Sequence, residues 1–132
     1  MKHALLLLLL SAGFCTAELF YGPNGQVQAR TSTSGNTTRY YDASGSYLGS
    51  SSTSGSTTRY YDKNGSYCGS AAKSGSSTRY YDRNGSYRGS ASSTGSTTRY
   101  YDKNGSHCGS AAKSGASTRY YDRNGSYRGT KQ

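Results

Sequence analysis

The stretch Thr57-Thr58-Arg59-Tyr60-Tyr61-Asp62-Lys63-Asn64-Gly65-Ser66-Tyr67-Cys68-Gly69-Ser70 decides the fold. Its first five residues, Arg59 apart, are β-branched or aromatic, the types that fit a pleated, half-buried surface. Asp62-Lys63-Asn64-Gly65 carries turn chemistry: aspartate suits the first turn position, and glycine accepts a positive φ. Ser66 to Ser70 is the returning strand, and Lys73-Ser74-Gly75 turns into the next unit. No stretch has the apolar period of a helix. The segment predicts a β-hairpin.

From Thr31 the hairpin recurs. Residues 31–130 are five copies of one 20-residue unit, beginning at Thr31, Ser51, Ala71, Ala91 and Ala111. A degenerate half repeat, residues 18–30, precedes them, and residues 131–132 are a short tail. A 40-residue block is also duplicated: residues 51–90 and 91–130 differ at six of forty positions. A fixed period of this length means a repeat architecture in which each unit buries its surface on its neighbours. One excised unit has too little to bury and is expected to be unfolded. The fold class expected is all-β, a tandem β-hairpin array, solenoid or ring-like, of about five and a half 20-residue units.

Turn type sets which side chains share a face. In the half repeat Pro23 stands where Lys63 stands, which fits the second position of a type I turn with a glycine bulge at Gly65. Asp62 is then expected opposite Ser66, Tyr61 opposite Tyr67, and Tyr60 opposite Cys68. A two-residue Asn-Gly turn would pair Tyr60 with Tyr67 instead. The half repeat places Leu19, Tyr21 and Val27 at the positions of Arg59, Tyr61 and Tyr67, which makes that the expected packed face. Tyr60 is expected on the other face, open to a ligand.

Composition narrows the function classes. After residue 17 the chain has four large aliphatic or Phe residues, Leu19, Phe20, Val27 and Leu48, too few for the core of a helix-and-sheet enzyme. Sixteen Lys and Arg against six Asp and Glu give a net charge of +10. Few aliphatics with high charge is the signature of disorder, and a disordered chain condensing with polyanions stays an alternative. The start is a basic Met1-Lys2-His3, an apolar run from Ala4 to Leu10, and small residues at Cys15 and Ala17. That pattern predicts a signal peptide over residues 1–17, cleaved after Ala17, and export to the periplasm, cell surface or exterior. A buried first helix or a lipoprotein site at Cys15 are the other readings.

The run Tyr60-Tyr61-Asp62-Lys63-Asn64-Gly65 with Gly69 and Gly75 resembles the YD repeats of large secreted bacterial proteins. It is also similar to MORN-like repeats and to the 20-residue cell-wall-binding repeat. The resemblance spans residues 31–130 and implies a secreted hairpin array that binds or scaffolds. The sequence departs from it twice: wall-binding repeats cage choline with Trp, absent here, and YD shells are far larger.

No catalytic residues are expected. His107 stands at the position of Tyr67 and Tyr87 and reads as a substituted tyrosine. The aspartates Asp42, Asp62, Asp82, Asp102 and Asp122 read as turn caps. A calcium site would need more carboxylates than this chain offers, so neither metal nor cofactor is expected. Asn36, Asn64, Asn84, Asn104 and Asn124 lie in Asn-x-Ser/Thr, which the turn chemistry explains at the four Asn-Gly sites.

Cys68 and Cys108 sit at the same repeat position, and in an exported protein they could form a disulfide. Four strands apart in a flat sheet they would be about 19 Å distant, too far to bond; a solenoid or a ring would bring them nearer. Free thiols and an intermolecular bridge are the alternatives.

The candidate ligand site is a repeated Tyr/Arg face: Tyr40, Tyr60, Tyr80, Tyr100 and Tyr120 with Arg39, Arg59, Arg79, Arg99 and Arg119, joined by Arg88 and Arg128. Such a face suits an anionic envelope polymer, a polysaccharide or a lipid surface, and export disfavours nucleic acid. The competing reading is a solvated charged face that keeps sheet edges unpaired. The function expected is non-enzymatic binding or scaffolding, with self-association into fibres as the structural alternative.

Overall fold

The computed structural model describes residues 20–21 and 27–131. The expected signal peptide, most of the half repeat's first strand and its Pro23 turn lie outside the described residues. Twelve strands follow one another: β1 (Phe20–Tyr21), β2 (Val27–Ser34), β3 (Thr37–Asp42), β4 (Tyr47–Ser54), β5 (Thr57–Asp62), β6 (Tyr67–Ser74), β7 (Ser77–Asp82), β8 (Tyr87–Thr94), β9 (Thr97–Asp102), β10 (His107–Ser114), β11 (Ser117–Asp122) and β12 (Tyr127–Lys131). Every neighbouring pair is antiparallel, and the two-residue β1 pairs with both β2 and β12, closing the sheet into a barrel. The array is therefore a ring of hairpins. A solenoid is excluded because consecutive strands are sheet neighbours throughout, with no rungs stacked on one another.

The two kinds of turn differ in chemistry and alternate between the ends of the barrel. At the first end the Asp62 amide donates to the Ser66 carbonyl at 2.9 Å, and the Gly65 amide to the Asp62 carbonyl at 3.0 Å. Gly65 has φ +80°. Oδ1 of Asp62 accepts from the amides of Asn64 and Ser66 at 2.8 and 2.9 Å. This is the expected type I turn with a glycine bulge, and the aspartate caps it. At the other end Ser74 pairs with Ser77 across Gly75-Ser76, with φ +59° at Gly75. Positive φ at the first loop residue and not the second fits a type II′ hairpin.

Tyr61 pairs with Tyr67 as expected, but Tyr60 pairs with Gly69 and not with Cys68. Residue 68 is an extra residue in the return strand, a second bulge, and the same shift occurs opposite Tyr40, Tyr80, Tyr100 and Tyr120. Gly69 sits there with φ +152°. A Cβ on it would lie 2.3 Å from the Tyr81 carbonyl oxygen, so the close approach of β7 requires glycine.

The two faces are the ones expected, but the inside and outside are exchanged. Tyr40 and Tyr120 are buried, at 5% and 8% exposure, while Tyr47, Tyr67, Tyr87 and Tyr127 are exposed. The inner ring is the Tyr60 series. Each inner tyrosine has a small residue on either side: Tyr60 lies between Ser51 and Gly69, Tyr80 between Ala71 and Gly89, Tyr100 between Ala91 and Gly109. A twelve-stranded wall encloses a wide interior that needs large side chains, and glycine and alanine beside them give the rings room. Tyr120 interacts electrostatically with Tyr80, four strands away. A flat sheet would hold those strands about 19 Å apart, so the interaction reflects a curved wall.

Burial pushes the inner phenols well above the ordinary tyrosine range, to about 12 for Tyr80 and Tyr120. Tyr60 and Tyr100 move in the same direction, first by desolvation and then because neighbouring phenols disfavour the anion. Tyr40 is also raised by burial, although its hydroxyl, 2.7 Å from Ser51 Oγ, opposes the shift.

Candidate anion-binding face

The outer face is built from the residues that alternate with the inner tyrosines. Arg39, Arg59, Arg79, Arg99 and Arg119 stand at mid-strand and are all exposed. Each pairs across the ladder with small residues: Arg39 with Ser32 and Ser50, Arg59 with Ser52 and Ser70, Arg79 with Ala72 and Ser90. Nothing bulky covers these guanidinium groups. Equivalent arginines recur every second strand, about 10 Å apart along the sheet.

Beside them runs an aromatic row. Tyr61 and Tyr67 pack edge to face with centroids 6.1 Å apart, and Tyr41–Tyr47, Tyr81–Tyr87 and Tyr121–Tyr127 repeat the contact at 5.8, 6.1 and 6.2 Å. His107 takes the tyrosine's place against Tyr101, at 6.0 Å and 69°. Along one strand Arg59 and Tyr61 point to the same side, being two residues apart. The next hairpin adds a second contact row, since Ser50 pairs with both Arg39 and Tyr61.

The candidate site expected from sequence is therefore divided between three places. The arginines Arg39, Arg59, Arg79, Arg99 and Arg119 are on the outer face. Tyr40, Tyr60, Tyr80, Tyr100 and Tyr120 are inside the barrel and do not join them. Arg88 and Arg128 lie at the end of the barrel. There Nε of each donates to Oδ2 of its own hairpin's aspartate, Asp82 at 2.9 Å and Asp122 at 3.0 Å. The terminal amino groups complete two ion pairs, Arg88–Asp82 at 2.7 Å and Arg128–Asp122. The outer tyrosines were expected on the packed face because the half repeat has Tyr21 and Val27 at the positions of Tyr61 and Tyr67. The glycine at position 69 was a signal for the second bulge, since glycine inside a strand marks a bulge or a close approach.

Charge is distributed unevenly over these places. At the aspartate-turn end, Lys63, Arg83, Arg88, Lys103, Arg123 and Arg128 face five aspartates, a near balance. Turn amides and, at two sites, an arginine hold Asp82 and Asp122 below the usual carboxylate range; Ser44 and the turn amides do so for Asp42. The outer arginine row has no such compensation. Among the described residues, none of its five members is in an ion pair.

Position 68 alternates along the chain: Leu48, Cys68, Arg88, Cys108, Arg128. Cys68 is buried and Cys108 half-buried; both are free thiols, on β6 and β10 with three strands between them. The ring does not join them. Burial and the nearby Asp102 raise the Cys108 thiol pKa, which disfavours a reactive thiolate. No protein-family model matches this chain, and no curated protein matches it.

Proposed function

We propose that this is an exported, non-enzymatic binding protein whose outer arginine-tyrosine face holds an anionic envelope polymer, a charged polysaccharide above all. The observation that carries the reading is the row of Arg39, Arg59, Arg79, Arg99 and Arg119, exposed, regularly spaced and, among the described residues, without ion-pair partners. Guanidinium groups recognise sulfate, phosphate and carboxylate groups through paired donors. The adjacent Tyr41–Tyr47 and Tyr61–Tyr67 pairs offer apolar faces and hydroxyls to sugar rings. Five weak contacts on one polymer multiply into avidity. Arginine at mid-strand on the outside also disfavours an apolar lipid interior as the partner. The only histidine in the described residues, His107, is engaged with Tyr101, and the aspartates cap turns, which supports binding over catalysis.

The test is retention on immobilised heparin, a linear sulfated polysaccharide, across a salt gradient. A parallel arm uses phosphatidylglycerol vesicles. Replacing the five arginines by glutamine should lower heparin affinity by at least 100-fold and flatten its salt dependence. Unchanged retention after all five substitutions sinks the reading. Stronger binding to vesicles than to heparin would reassign the partner to a lipid surface.

A further inference from the structure

We infer that the seam between β1 and β12 is an exchange joint, at which the β1 of a second copy of this chain pairs with the β12 of the first. The inference is independent of anion binding and rests on backbone register. Tyr21 pairs with Thr130 and Phe20 with Lys131. Inside the array, Tyr61 pairs with Ser50 and Tyr60 with Ser51. Position by position in the 20-residue repeat, these are the same pairs.

On its other side β1 repeats the internal pattern too. Tyr21 pairs with Val27 and Phe20 with Ala29, with the register shift between them, as Tyr61 pairs with Tyr67 and Tyr60 with Gly69. The half repeat is thus a sixth hairpin whose first strand is reduced to two described residues. The ring closes because β1 and β12 carry the two halves of an ordinary junction between hairpins.

A junction of that kind does not distinguish its own end from a neighbour's. The intramolecular seam has two registered pairs, whereas β10–β11 and β6–β7 have six each. Opening it breaks no other strand pair, because β1 keeps β2 and β12 keeps β11. The contact is heterologous, so exchanged copies grow head to tail, as larger rings or open chains. The intramolecular seam wins at low protein concentration and the intermolecular one gains as concentration rises.

The experiment uses the full chain with Cys15→Ala, Cys68→Ala and Cys108→Ala, to remove competing thiols. Two further single variants, Tyr21→Cys and Thr130→Cys, are mixed, partly denatured in urea, refolded together and oxidised. Neither can form the seam disulfide alone. The expected result is a covalent heterodimer whose yield rises at least tenfold over a hundredfold increase in concentration. Yield no greater than in a control mixture of Tyr21→Cys with Thr53→Cys, which is not a register partner, overturns the inference. The second measurement is sedimentation of the cysteine-free chain without cysteine insertions after the same treatment. It should show concentration-dependent oligomers. These should vanish in a Tyr21→Cys/Thr130→Cys chain oxidised when dilute. A sedimentation coefficient that does not change with concentration in the unlocked chain also overturns it.

Discussion

Adjacent tyrosines on one strand meet opposite surroundings. Tyr120 is buried between Ala111 and Gly129, and Tyr121, one residue on, packs on the outside against Tyr127. The two have the same chemistry and the same local sequence, so propensity does not separate them. What separates them is closure of the sheet, which gives the strands an inside and an outside, and the alternation of side chains along the strand, which sends one to each. Inner phenols therefore act as a core and outer phenols as a surface.

The largest effect that sharpens this contrast is truncation of the inner ring. Tyr120→Ala should destabilise the protein by about 3–5 kcal/mol in urea unfolding, in line with loss of a buried aromatic. Tyr121→Ala should change stability by less than about 1 kcal/mol. Equal losses at the two positions would break the distinction between the faces.

The bulge comes next. A Cβ at Gly89 would stand 2.3 Å from the Tyr101 carbonyl oxygen, whereas Gly85 has open space around it and only its φ of +79° to satisfy. Gly89→Ala is expected to lower stability by about 1–3 kcal/mol through overpacking against backbone. Gly85→Ala should cost about 1 kcal/mol, the penalty for a left-handed residue with a side chain. Comparable unfolding midpoints for the two variants would mean that β8 and β9 do not approach as described.

Alkali separates the faces without mutation. The inner phenols have folded-state pKa values raised above the unfolded value near 10, with Tyr80 and Tyr120 at about 12. Their contribution to stability is therefore complete below pH 10 and is lost as pH rises toward 12 and beyond. Ultraviolet absorbance titration should show a late-ionising class of tyrosines, and far-ultraviolet circular dichroism should lose β signal over the same interval. Ionisation of all tyrosines in one step near pH 10, with the fold intact, would contradict the buried ring.

The smallest effects belong to charge. Asp82 and Asp122 have lowered pKa values, held by turn amides and an arginine. Stability from these groups is present above the unfolded value near 4 and lost as pH falls below it. Arg88→Met should weaken the acid dependence contributed by Asp82, read as a flatter stability curve below pH 4. Arg59→Gln, on the outer row, should leave stability within about 0.5 kcal/mol of the parent, because no partner loses its ion pair.

Much of the hairpin was legible in the sequence for local reasons. Asp62, Asn64 and Gly65 specify the turn through contacts within five residues, so the type I turn, its glycine bulge and the Tyr61–Tyr67 pair followed from residue types. The Tyr60 partner did not, because the bulge at residue 68 depends on how closely β7 passes Gly69. That distance belongs to the neighbouring hairpin. That Tyr60 and Tyr61 take opposite sides followed from the period of two, but which side is inside did not, because it is set by the direction in which the whole sheet curves. The arginines expected in the site stand exposed on the outer face, and the tyrosines expected beside them lie inside the barrel.

By itself, the amino-acid sequence determined the repeated hairpin, its turns and the surplus of positive charge, since each depends on residues a few positions apart. Closure into a ring, the choice of which phenols fill it, and the separation of Cys68 from Cys108 were decided by tertiary structure. Those properties depend on strands meeting across the whole length of the chain, from β1 to β12, and no local pattern encodes a meeting between residues 21 and 130.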